Sequence, residues 1–193
     1  MPDAIDALTG SAAGYALVIG FVALDAVLPI APSETLLAAG GVLVADGDLS
    51  FPLLVLAGAL GAIAGHSFLF VVGRRLGPAA EARFVRGPRA RRGFERTSDL
   101  LAQRTWLLIV ADFLPAGRTV AMFAAGATGL PAPRFFAFVL PGALLWSSFY
   151  ALLGFTGGSV FESRWPALAA SVGAALVVAG GSEAVIRLRG RHE

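Results

Sequence analysis

Six apolar stretches, at about 11–30, 34–45, 51–73, 105–127, 134–157 and 165–186, divide this chain of 193 residues and leave it one natural solvent. A helix needs about 20 mainly apolar residues to cross the hydrocarbon core of a bilayer. Only 15% of the residues are charged and 56% are hydrophobic, whereas an ordinary soluble domain carries about 25% charged residues. The expectation is an all-α integral membrane protein, a polytopic helical bundle. The first stretch follows Asp3 and Asp6 with no basic leader and runs past the length of a signal-peptide core, so it is expected to be retained.

The charge is as unevenly spread as the hydropathy. All 15 basic residues are arginine, and nine of them lie between Arg74 and Arg104. Short loops rich in arginine are held on the cytoplasmic side. The loop at about 74–104 and the tail with Arg187, Arg189 and Arg191 are therefore expected there together, with a cytoplasmic C-terminus. The orientation of the N-terminus is left open by this rule. Residues 78–104 suit either a basic amphipathic helix on the membrane surface or a solvated linker. Phe84 and Phe94 are too few aromatics for stacking on bases, so the positive charge is read as headgroup contact and not as a nucleic-acid surface. Cysteine is absent, which excludes disulfides and thiolate chemistry.

Two stretches are poor simple spans: Asp25 to Gly41 (DAVLPIAPSETLLAAGG) and Asp112 to Gly129 (DFLPAGRTVAMFAAGATG). Each carries proline and charge in mid-run and ends in glycine. They are expected to be re-entrant helical hairpins, at about 26–45 and 112–129, within one domain covering 1–193. Broken backbone at membrane depth survives only inside protein or beside a wet cavity. The likeness of the two stretches suggests an inverted repeat, and paired interruptions of this kind point to a transporter's binding site.

Ionisable residues at membrane depth are costly and therefore informative. They are Asp25, Glu34, His66, Asp112 and Arg118. Ser33 is expected to cap the helix that follows Pro32, with Glu34 in its first turn. Asp25 has no local capping task in the sequence. Arg118 and Thr119 stand where a half-helix begins, and a guanidinium beside free helix amides is a seat for phosphate; the plainer reading is an ion pair with Asp112 or Asp25. His66 lies among small residues, as a packing residue or a proton relay. The substrate-binding set is thus Arg118, Thr119 and Ser33, and the proton-coupling set Asp25, Glu34, Asp112 and His66. No coordinating set for a metal is visible and no cofactor is expected.

Four runs, PIAPSETLLAAGG, GAIAGHSFLFVVGRRLG, FLPAGRTVAMFAAGATGLPAPRFFAF and GALLWSSFYALLGFTGG, resemble in order and spacing the DedA family, whose domain is also called VTT or SNARE-associated. The resemblance implies two facing re-entrant hairpins in a helical bundle of the bacterial inner membrane. It implies transport of membrane lipids, notably recycling of undecaprenyl or related polyprenyl phosphate, driven by protons or sodium, with passive phospholipid scrambling as the alternative. A homo-oligomer is compatible with it. By position, Asp25 and Glu34 match two acidic sites of the family and Arg118 the second of its two arginines. Two positions depart. Asp112 stands where the family has its first arginine, and His66 where it usually has aspartate, which suggests that these two have become partners.

An enzyme is not expected. A histidine phosphatase needs paired histidines, but His192 is in the tail. Ser67 adjoins His66 on a helix and so points away from it.

Overall fold

A computed structural model describes residues 11–28, 33–84, 95–96 and 99–160, and these are helical with short connections. The principal elements are α1 (Ala12–Val27), α2 (Ser33–Ala45), α3 (Phe51–Phe84), α4 (Leu107–Ala111), α5 (Pro115–Ala127) and α6 (Ala132–Val160). The apolar stretch at 165–186 and the arginine tail lie outside the described residues, as does most of the surface between 85 and 98.

Among the described residues two helices, α3 over Phe51–Gly77 and α6 over Ala132–Gly157, are long and apolar enough to cross a membrane. At 1.5 Å per residue, α1 with 16 residues and α2 with 13 fall short of the ~30 Å core. The interruptions come where the sequence carries proline and charge. α1 stops at Val27 and α2 begins at Ser33; α4 gives way to a turn at 112–114 before Pro115 opens α5. Proline suits that first helical position because its missing N–H has no intrahelical partner there. The basic segment expected from residue 74 begins on a helix: α3 continues past Arg74 and Arg75, both exposed, to Phe84.

The outside of this bundle is oily, and its ionisable side chains at membrane depth are turned inside. Leu17, Leu24, Leu60, Phe68, Val120 and Leu145 are exposed, while five of the ionisable side chains are buried. Water would reverse that arrangement; lipid accepts it.

Glycine sets how closely the helices approach. α2 docks on α6, and α1 and α5 both dock on α3. A Cβ on Gly41 would meet the backbone of Ala151, Gly154 and Phe155, and one on Gly154 the backbone of Ala38. At the other crossing, Gly126 lies on Phe70 and Arg74 while Gly73 lies on Phe123 and Ala127. Such contacts gain van der Waals energy that lipid-facing leucines do not, since lipid is as apolar as leucine. Two apolar clusters pack around the helices. Leu37, Leu54, Trp146 and Tyr150 fill one; Phe70, Leu108, Met122 and Phe135 fill the other. The rings of Phe70 and Phe135 stack at 4.1 Å.

Candidate functional site

The ends of α1, α2 and α5 meet on a buried polar cluster. Asp25 lies in the last turn of α1, where the helix dipole disfavours a carboxylate. Its Oδ2 is held from three directions instead. Ser33 Oγ donates to it at 2.5 Å, the Ser33 amide at 3.3 Å, and Arg118 Nη2 from the first turn of α5. Arg118 Nη1 reaches Glu34 Oε1 at 3.4 Å. One guanidinium therefore faces two carboxylates, with Ser33 Oγ at 3.4 Å from Nη2. None of Asp25, Ser33, Glu34 or Arg118 is more than 5% exposed.

This corrects one expectation about α2. Ser33 is its first helical residue and not its cap; Asp25, which has no local capping task, supplies the acceptor for the Ser33 amide from a distance. The reason is tertiary: the chain returns after the break and brings that amide back to the carboxylate, a contact eight residues apart in sequence. Thr119, expected among the substrate ligands, donates through Oγ1 to the Ala26 carbonyl at 3.1 Å and ties the start of α5 to the end of α1. Arg118 pairs with Asp25 and Glu34, so of its two sequence candidates, Asp25 and Asp112, the first is taken.

The ordering has an electrostatic sense. α2 and α5 both begin at this cluster, with Ser33 and Arg118 in their first turns, and a helix N-terminus is a setting that favours anions. Arg118 also lies 5.4 Å over the ring of Trp146 on α6, so its flat face is covered as well as its edge. Arg118 Nε and Trp146 Nε1 are buried donors with no acceptor, and Thr35 Oγ1 is buried without a partner too. Orphaned groups of this kind are uncommon in native interiors and call for an explanation.

A second pair adjoins the first. His66 Nε2 on α3 lies 3.3 Å from Asp112 Oδ1 in the turn before α5, and both side chains are at most 2% exposed. The approach is within ion-pair distance but lacks hydrogen-bond alignment, and neither imidazole nitrogen nor either carboxylate oxygen has a hydrogen-bond partner. Gly142 admits this pair: a Cβ there would lie 2.8 Å from Asp112 Oδ2 and 3.3 Å from Ile109 Cα. Gly142→Ala is expected to destabilise by about 1–3 kcal/mol through overpacking. In an Asp112→Ala background the penalty should shrink, which a double-mutant cycle of melting temperatures in detergent checks.

Trp146 and Tyr150 were not among the residues singled out from sequence. Tyr150 packs edge-on to Trp146, with centroids 5.6 Å apart, and both are 1% exposed. The available signal was position: a tryptophan in mid-span is out of place, because tryptophan gathers at the membrane–water interfaces. Among the described residues no group of three or more histidine, aspartate or glutamate side chains could hold a metal ion.

Against known proteins, the VTT domain family model matches residues 31–156. The inner membrane protein YohD of Escherichia coli is 33% identical over 149 residues, 76% of this chain and 72% of YohD. Undecaprenyl phosphate transporter A of Bacillus subtilis is 25% identical over 143 residues, 73% of this chain and 72% of that protein. An alkaline phosphatase-like protein of Lactococcus lactis subsp. cremoris is 25% identical over 156 residues, 77% of this chain and 73% of that one. Mycobacterial membrane proteins also match, and the aligned region spans 65% of their length. No solved structure matches. The matched region holds Ser33, Glu34, His66, Asp112, Arg118 and Trp146, and with 76% of the chain aligned to YohD, this chain belongs to the VTT-domain, or DedA, family of membrane proteins.

Proposed function

We propose that this protein carries a polyprenyl phosphate of the undecaprenyl type across the membrane, with proton movement coupled to it, and that Arg118 holds the phosphate. One observation carries the reading. A guanidinium lies buried where two helix N-termini converge, and its Nε has no acceptor. A phosphate oxygen is what such a set of donors selects. The relative named an undecaprenyl phosphate transporter supports the substrate class.

The proposed mechanism follows from Arg118's present partners. A phosphate must displace Asp25 and Glu34 from the guanidinium, and a carboxylate left in low dielectric without its cation takes a proton. Phosphate entry and proton uptake are then linked at one arginine. Ser33 and Thr119 would line the same seat from α2 and α5.

Alternating access requires two halves, and packing supports them. In this reading α1, α2 and α3 form one repeat, and α4, α5 and α6 an inverted one, each opening with a re-entrant hairpin. α2 docks on the long helix of the other half and α5 does the same in return. Gly61 and Gly73 of α3 recur as Gly142 and Gly154 of α6 with the same twelve-residue spacing. Gly61 packs on Ile19 and Val22, and Gly142 on Ile109 and Asp112, so that Asp112 takes the place of Val22 and Asp25 follows one turn later. A site at the interface of such repeats lies near the bilayer midplane.

The test is the accessibility of polyprenyl phosphate across vesicles holding the purified protein, with and without a proton gradient. One pH unit supplies about 1.4 kcal/mol per proton, so each coupled proton should build about a tenfold lipid asymmetry. Asp25→Asn and Glu34→Gln should lose that dependence. Equal movement of ordinary phospholipids without a gradient would replace this reading with passive scrambling.

A further inference from the structure

The pair of His66 and Asp112 is not needed to hold Arg118, yet it lies buried beside that site with its polar atoms unsatisfied. We infer that His66 is the site of a second proton, taken up as the lipid phosphate enters, and that Asp112 holds the imidazolium so formed. The inference deepens the reading above and rests on it.

The argument is charge balance at low dielectric. A phosphate monoester brings about −1.5 to −2 charges at neutral pH. Arg118 supplies one positive charge. Protons taken by Asp25 and Glu34 remove negative charges but create no positive one, so roughly one negative charge stays uncompensated. Isolated charge in such a core is costly. Among the described buried side chains, Arg118 and His66 are the two that can be cations. An imidazole gains a charge where a carboxylate merely loses one, which is why a histidine here differs from a further acid.

The surroundings fit that task. His66 comes from α3 and Asp112 from the turn before α5. The other buried charged groups are Asp25 on α1, Glu34 on α2 and Arg118 on α5; α6 brings the phenol of Tyr150 but no buried charged residue. At 3.3 Å the Asp112 carboxyl is near enough to steady the imidazolium while its second oxygen stays unengaged. Before phosphate enters, the pair holds one proton and is neutral overall; afterwards it holds two and carries a single positive charge. The elementary step moves one proton from hydronium in the aqueous phase to an imidazole nitrogen: an O–H bond breaks, an N–H bond forms and neutral water is left, with no covalent bond to the lipid.

The chain has two histidines, His66 and His192, so His192→Asn leaves a single imidazole to observe. The protein, labelled with ¹⁵N-histidine in nanodiscs, is titrated with a polyprenyl monophosphate, and the matching polyprenyl alcohol serves as control. The expected result is a His66 signal that changes from neutral imidazole to imidazolium with the phosphate lipid and stays unchanged with the alcohol. In parallel, calorimetry in buffers of different ionisation enthalpy should show His66→Gln taking up about one proton fewer per lipid bound, since protons gained by the phosphate itself cancel in that difference. Tight binding with His66 neutral throughout, including binding that requires sodium, overturns the inference and leaves the carrier reading intact. Failure to distinguish the phosphate from the alcohol removes both. If His66→Gln does not fold, the ¹⁵N spectrum of the His192→Asn protein decides alone.

Discussion

Replacing Arg118 by alanine is expected to abolish polyprenyl phosphate movement and to destabilise the fold by about 3–5 kcal/mol, the usual range for breaking a buried ion pair by removing one partner. The size follows from what is left behind. Asp25 and Glu34 would remain buried with the guanidinium gone, and Ser33 Oγ and the Ser33 amide would be Asp25's remaining donors. Trp146 would lose the cation that lies over its ring. The consequence is a large fall in melting temperature in detergent alongside the lost transport, and the two effects need separating. Arg118→Lys does so. Lysine restores one positive charge near Asp25, but a compact ammonium lacks the planar fork that reaches Asp25 and Glu34 through separate nitrogens and lacks the Nε donor altogether. Most of the stability should return with lysine while transport stays impaired. Full recovery of transport in Arg118→Lys would mean that a point charge suffices and that the forked geometry has no part in recognising phosphate.

The residues of this site were legible in the sequence because charge is rare in an apolar chain, and each ionisable residue at membrane depth announces itself. Their partnerships were less legible. That Arg118 would choose Asp25, 93 residues away, over Asp112, six away, depends on how α5 docks against α1, and no local pattern encodes that. The capping of α2 was misassigned for the same reason: local rules favour Ser33, while the fold returns the chain to Asp25. The long helices were visible from hydropathy, which counts residues, but not the extension of α3 past Arg75, because arginine is a good helix former and its charge says nothing about where hydrogen bonding stops. Trp146 escaped because an indole in an apolar run looks like ordinary packing until its N–H is seen to lack an acceptor.

The second large effect is expected far from any charge, at Gly154. A methyl group there would lie on the Ala38 backbone, with the Ala38 Cα at 2.9 Å and the carbonyl nearer still. A flexible side chain could swing aside, but a helix backbone cannot, so Gly154→Ala forces α2 away from α6 along its length. Overpacking usually costs about 1–3 kcal/mol, and this crossing, backbone on backbone, belongs at the upper end. Ser33 and Glu34 ride at the start of α2, so the displacement should also draw Glu34 away from Arg118 and slow transport more than the loss of stability alone explains. Gly20→Ala is the control. It lies inside α1 with nothing within 4 Å of the added carbon, and a helix-interior glycine replaced by alanine should gain about 0.5–1 kcal/mol. Gly73→Ala makes the matching intrusion at the other crossing, against Phe123 and Ala127 on α5. If the halves are related as inverted repeats, its penalty should resemble that of Gly154→Ala. A small effect at one crossing and a large one at the other would mean that the two interfaces carry unequal loads and that the repeat is one of shape without energetic symmetry.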